Sequence, residues 1–409
     1  MSLRLRRSRE DVPSSSAARR WRIFYVLAAG LIVMAGSSAG AGTRVLQSPT
    51  LSERVRTSED PVALRGEVDT FLEHHVGRLF GDDPGAVKAS RKALGDPVGQ
   101  SSTPAFNRFY AELLAERLLR RFPNAATFNQ LNAAIVTEEV ARGTQSTRFG
   151  PLITRMAADD DASVAYWGAK AAYPIFPELL QTLDGRGREA LVSALVGAVQ
   201  RFPGNGALAE EVYRTLSMRT TEQRPPQAEV LSAGAPLIVP AVQDLIALRI
   251  GRYAPDAPAQ DPWAEQPGLV VLTNNFVWPA QTDEQKLRTV AVLRDLMLQA
   301  VTTAKNLEQQ GQTRRAIVET IKRVGSAFVG ISGPVQSGGD PQIPAVYPAA
   351  QTVYRLGGAP STNSLESAVN ALNAALDVAF PDLPPPQLST RPPEATQPAT
   401  EPGTRTASE

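Results

Sequence analysis

Residues 103–124 read TPAFNRFYAELLAERLLRRFPN, and this stretch decides the fold. Thr103 followed by Pro104 is a helix start: the hydroxyl satisfies a free backbone N–H, and proline has none to leave unpaired. Phe106, Phe109, Tyr110, Leu113, Leu114 and Leu118 then recur at i, i+3 and i+4, which makes one apolar helical face. Pro123 stops the helix, because its ring clashes with the preceding turn and it has no N–H to donate. Asn124 is the expected cap of a second helix, with Phe128, Leu131, Ile135 and Val136 turned inward and Gly143 at its end.

The same pattern continues to residue 218. A third segment starts near Thr147 with Phe149, Leu152, Ile153 and Met156. Asp159, Asp160 and Asp161 form a turn and N-cap before Val164, Tyr166, Trp167 and Ala171, placing negative charge where the helix dipole favours it. Residues 189–202 and 207–216 make two further segments. No alternating strand pattern interrupts the series. The tetrapeptide Arg121-Phe122-Pro123-Asn124 is echoed by Arg201-Phe202-Pro203-Gly204, 80 residues on, at two units of the roughly 40–47-residue period of HEAT and armadillo repeats. Phe149-Gly150-Pro151-Leu152-Ile153, an acidic turn, and the small-residue helix around Tyr166-Trp167-Gly168-Ala169-Lys170 resemble one bacterial HEAT-like (armadillo-type) repeat. The resemblance covers residues within 103–218. It implies helical hairpins stacked as an α-solenoid; an irregular helical bundle is the competing all-α arrangement.

Toward the N-terminus, residues 1–22 form a basic leader with Arg4, Arg6, Arg7, Arg9, Arg19, Arg20 and Arg22, opposed only by Glu10 and Asp11. Residues 23–43 carry no charge. At about 1.5 Å per helical residue, that run just spans a hydrocarbon core of about 30 Å. Two readings share it. A signal-anchor would keep the arginines in the cytoplasm. A signal peptide would be cleaved near Ala41, at the small-residue site Ala39-Gly40-Ala41. Arg19-Arg20 adds a weaker twin-arginine pattern. Each places the bulk of the chain beyond a membrane. Residues 44–102 read as a spacer with one or two helices, the first starting near Pro61.

Beyond 218 the pattern loosens. Residues 219–282 hold Pro-rich connections (220–236 and 253–268) around an apolar helix at 237–250. That helix is too short and too interrupted by Pro240, Asp244 and Arg249 for a membrane span. Residues 269–272 suggest a lone strand or a packed loop, ended by Asn274-Asn275. Residues 283–380 contain a helical hairpin and a terminal helix. Thr282 or Asp283 caps the first arm, which carries Leu287, Val290, Leu293, Leu296 and Met297. Gly311 separates it from Ile317, Ile321, Val324 and Phe328. A Gly/Pro/Ser loop at 330–348 precedes a last helix from Asn363 or Ser364. Residues 381–409 are Pro/Thr/Glu-rich, lack large apolar groups after Leu388, and read as a disordered tail.

The composition removes several chemistries. No cysteine is present among 409 residues, so disulfides, thiol catalysis and cysteine–metal sites are out. The formal charge of +1 gives no field for nucleic acid. The two histidines, His74 and His75, point about 100° apart on a helix and lack the i, i+4 spacing of a zinc pair; they read as a partly exposed surface pair. The aspartate run lacks the alternation and glycine of a calcium loop, and no Gly-Lys-Ser/Thr follows the glycines near 330. Arg117, Arg120 and Arg121, like Arg314, Arg315, Lys322 and Arg323, are interleaved with glutamates as solvated faces. Tyr166, Trp167 and Tyr173 read as core. Trp263 and Trp278, in Pro-rich connections, read as plugs onto the core or partner hot spots. No catalytic, cofactor or metal residue is assigned. The expectation is a noncatalytic scaffold at the cell envelope, binding a protein partner through stacked amphipathic helices. The alternative is a carboxylate-dependent hydrolase acting on an envelope or extracellular glycan.

Overall fold

A computed structural model describes residues 48–99, 101–218, 228–251, 264–311, 313–333 and 343–388. The leader, the 23–43 segment with its cleavage site, Trp263 and residues 389–409 of the tail lie outside them. The described chain is all-α, with no strand among the described residues.

The first helices among the described residues are α1 (Glu53–Arg56), α2 (Arg65–Leu79) and α3 (Pro84–Gly95). The regular region follows as α4 (Pro104–Arg121), α5 (Thr127–Thr144), α6 (Gly150–Ala157), α7 (Ala162–Ala172), α8 (Phe176–Thr182), α9 (Gly185–Arg201) and α10 (Gly206–Leu216). Then come α11 (Ala228–Ile250), α12 (Gln266–Leu272), α13 (Asp283–Gln309), α14 (Arg315–Ser332), α15 (Tyr347–Tyr354) and α16 (Thr362–Ala379).

Local chemistry sets many of the ends. Thr103 Oγ1 accepts from Phe106 N at 3.2 Å. Asp161 Oδ1 accepts from Ser163 N and Val164 N at 2.8 and 3.1 Å. Thr282 and Gln285 form a reciprocal capping box at the head of α13. Gly311, at φ +68, turns the chain between α13 and α14, a backbone conformation in which a Cβ would be strained.

Packing orders these helices in two rows. In one, α3, α5, α7, α10, α12 and α14 each pack on the next; in the other, α2, α4, α6, α9, α11 and α13 do so. The pairs α2–α3, α4–α5, α6–α7, α9–α10, α11–α12 and α13–α14 join the rows, and α15 and α16 close on α14 and α13. One hydrophobic core runs continuously from Val55 to Leu376. The rows approach closely at Gly168, where a Cβ would sit 2.8 Å from Ala157 N and 2.9 Å from Met156 Cβ. The segment expected as a spacer therefore supplies α1–α3, and α2 and α3 pack on α4 and α5.

Several expectations are corrected. Asn124 lies in a 3-10 turn (Phe122–Asn124), and the N-cap of α5 is Ala126. Gly143 lies inside α5, which ends at Gln145 with φ +54. The buried face of α5 is rotated from the expected one. Phe128 is 50% exposed, whereas Asn129, Asn132, Val136, Thr137 and Val140 face inward. Asn129 is drawn in because its Nδ2 donates to Leu79 O and Gly81 O at 2.8 and 2.9 Å, carbonyls left free where α2 ends. Residues 269–272 are helical, in α12: Leu269 N donates to Glu265 O at 3.0 Å, a helical bond that a lone strand would leave unmade, and Thr273 Oγ1 donates to Leu269 O at 2.9 Å. Residues 228–236, read as linker, form the first turns of α11, and Gly330 to Ser332 belong to α14. The last helix starts at Thr362, capped by Ser361. Residues 381–388, expected to begin the disordered tail, are held: Leu383 packs on the core and Gln387 N donates to Asp295 Oδ2 at 3.2 Å.

Helix α11 is long and apolar enough to cross a membrane by length and composition, with a mean hydropathy of 1.6 in its most apolar window. Half of that window is buried, and α11 lies mid-chain against α9, α12 and α13. Its length exceeds the expected one because Pro236 and Pro240 are accommodated inside it. The packed neighbours supply contacts that outweigh the two missing N–H donors.

Candidate functional site

Helix α7 lies between α5 and α10. Its sequence ASVAYWGAKAA divides by helical period. Val164, Ala165, Gly168, Ala169, Ala171 and Ala172 are buried, and their small volumes let neighbouring helices approach closely. Tyr166, Trp167 and Lys170 are half-buried on the other face. The two rings meet edge to face, with centroids 5.8 Å apart at 83°. Lys170, one turn on from both, sets its Nζ 4.3 Å from the Trp167 centroid and 5.8 Å from that of Tyr166. Such a contact contributes about 0.5–1 kcal/mol at an exposed site. The aromatics expected as core are thus partly open to solvent.

A buried carboxyl from each neighbouring helix shares this field. Glu138 of α5 is 6% exposed and Glu211 of α10 is 5% exposed. Burial pushes both above the usual carboxylate range, because a charge is poorly solvated there; the cations oppose the shift without cancelling it. For Glu138 these are Arg142, 3.5 Å away, and Lys170; for Glu211 they are Arg214, 3.3 Å away, and Lys170. Arg214 also holds Glu210 at 2.8 Å. Burial raises the Tyr166 phenol too, reinforced by Glu211. Thr215 Oγ1 donates to Ala169 O at 2.9 Å and fastens α10 to α7. The face therefore offers an amphipathic aromatic pair, a lysine and two carboxyls that retain protons more readily than free ones. Glu138 lies four residues before Arg142 and Glu211 three before Arg214, spacings common to solvent-exposed pairs, so only their burial sets them apart.

The residues singled out in the sequence are scattered. His74 is half-buried as expected, but His75 is buried, at 4% exposure, because it reaches across to Pro49 O (2.9 Å) and Ser90 Oγ (3.5 Å). Asp161 caps α7, and Asp159 Oδ1 accepts from Asp161 N at 2.9 Å within the turn. Arg120 pairs with Glu116 in its own helix, whereas Arg117 and Arg121 reach Asp69 and Glu73 on α2. Lys322 and Arg323 both meet Glu319, and Arg314 binds Glu308 at 3.0 Å and Thr362 Oγ1 at 2.8 Å. Trp278 is buried at 2% and plugs its connection onto the core. Among the described residues no three His, Asp or Glu side chains are grouped to hold a metal ion.

Comparison with known proteins finds no match to a family model, a curated protein or a solved structure.

Proposed function

We propose that the chain is a noncatalytic interaction scaffold of HEAT-like stacked helix pairs, held at or exported across a cell membrane, and that the α5–α7–α10 face engages a protein partner. The observation that carries this reading is the half-exposed Tyr166–Trp167 pair on a helix clamped between two others. A rigid aromatic anchor ringed by charge is the usual composition of a binding hot spot. The two-row order supports the solenoid, since each pair buries its apolar side only by stacking on the next. The arginine leader and uncharged 23–43 segment support the location.

The test is retention of envelope proteins by immobilised full-length chain and by the Tyr166→Ala, Trp167→Ala double variant. A specific protein held by the wild type should be lost or weakened at least tenfold in the variant. Equal retention by both sinks the assignment to this face, and retention of nothing sinks the scaffold. N-terminal sequencing of the mature protein decides between anchor and cleaved leader: a start at Gly42 means cleavage.

One observation favours a second reading, a hydrolase of envelope or extracellular glycan: Glu138 and Glu211, both buried and both protonated more readily than free glutamate, as a general acid must be. If they act so, Glu138→Gln and Glu211→Gln each abolish release of reducing ends from glycan; no release by the wild type removes this reading.

A further inference from the structure

Residues 48–51 have no regular structure and lie along α2 and α3. With Phe71, His75, Ala89, Ala93, Arg56 and Asp96 they line a cavity of about 360 Å³ that is partly open to solvent. That volume is near the low end of the roughly 300–1,000 Å³ of ligand cavities. Chain that borders an open cavity has few atoms on that side, so little dispersion attraction holds it in place. The following stretch is well fastened: Thr103 N donates to Arg56 O at 3.0 Å and Thr103 Oγ1 to Ser58 O at 2.8 Å. Residues 48–51 depend instead on Leu51 packing, a long Arg78 Nη1–Ser48 Oγ contact of 3.4 Å, and one good bond, between His75 Nε2 and Pro49 O at 2.9 Å.

Because a carbonyl only accepts, Nε2 carries the proton, and neutral His75 leaves Nδ1 to accept from Ser90 Oγ at 3.5 Å. We propose that residues 48–51 are a strap latched to α2 by neutral His75, and that mild acid releases it and widens the cavity it lines beside α2 and α3. Protonation would put a second N–H and a full charge into a buried site that already has two like-signed neighbours on α2, Arg78 and His74. The strap carries no titratable side chain, α3 contributes only the Ser90 hydroxyl, and the cavity edge supplies one charge of each sign, Arg56 and Asp96. Nothing adjacent therefore favours the imidazolium decisively, and the ring gains water by letting the strap lift.

The direction follows from linkage. Burial, with His74 and Arg78, holds the latched imidazole below its ordinary value, against the opposing Pro49 carbonyl. The released ring titrates near the free value of about 6.5. From there down to the latched value the released form holds one more proton, so the released-to-latched ratio rises about tenfold per pH unit. Below the latched value it rises no further.

The absence of cysteine makes a single label unique. In full-length Thr50→Cys protein carrying a nitroxide, the mobile fraction should grow as pH falls from 7.5 to 5, while far-UV circular dichroism holds constant. His75→Gln keeps a donor for Pro49 O and does not titrate, so its label should stay immobile throughout. An unchanged mobile fraction in the wild type, or the same rise in His75→Gln, overturns the proposal. Should His75→Gln not fold at pH 7.5, the wild-type His75 carbon shift decides by NMR: its midpoint must coincide with that of the label, and separate midpoints overturn the latch.

Discussion

An ammonium over an indole, with a buried carboxyl on each flanking helix, forms a small field in which each charge depends on the others. Lys170 opposes the pKa rise of both Glu138 and Glu211 while stacking on Trp167. For each glutamate the folded carboxyl binds its proton more tightly than the unfolded one. Between the unfolded value of about 4.3 and the raised folded value, the folded state therefore holds more protons. Stability from these groups is fully present below that window and falls as pH rises through it. The Glu138→Gln, Glu211→Gln variant lacks this dependence. Relative to wild type, its urea midpoint should be higher at pH 8 than at pH 4, and a difference independent of pH would contradict the burial argument. In the sequence these glutamates belonged to ordinary i, i+3 and i, i+4 pairs, and Tyr166 and Trp167 to an apolar stripe. Neither pattern encodes how far a neighbouring helix covers the side chain.

At the scale of elements, three caps were legible because they are local. Thr103-Pro104, Asp161 and Thr282 with Gln285 start helices through bonds that span three residues or fewer. The inward face of α5 was misread for the opposite reason. Periodicity placed Phe128 inside, but Asn129 turns inward to satisfy carbonyls about 50 residues away in the chain. Asn129→Ala leaves both carbonyls without that donor in a buried place. It should cost about 1–3 kcal/mol by denaturant unfolding, well above its small effect on helix propensity. A cost near zero would mean that water replaces the amide. Helix α12 was missed because seven residues are too few to show a 3.6 period, and a short apolar run reads equally as strand or helix.

Across the whole molecule, connections far apart in sequence meet at buried charge. Arg249 near the end of α11 binds the carboxylate of Glu265, just before α12, and donates from Nη1 to Pro203 O, between α9 and α10, at 3.2 Å. Both side chains are almost wholly buried, at 1% and 0% exposure. Removing one partner strands the other charge, so Glu265→Ala should destabilise by about 3–5 kcal/mol, read from thermal or urea unfolding. A loss below 1 kcal/mol would show that the pair is solvated. The echoed Arg-Phe-Pro motif, whose second copy contains Pro203, thus marks a joint that α11 later grips, a role its local sequence does not announce.

What the sequence alone determined is the all-α class, most helices of residues 103–218, the α13–α14 hairpin, the capped starts at Thr103, Asp161 and Thr282, and the absence of thiol chemistry. Each follows from spacing within a turn or two, or from composition. The tertiary structure decided which sides are covered: the inward turn of His75 and Asn129, the partial exposure of Tyr166 and Trp167, the burial of Glu138 and Glu211, and the two-row order of the helices. Burial and shifted proton affinity are properties of a side chain's neighbours, and those come from helices tens of residues away.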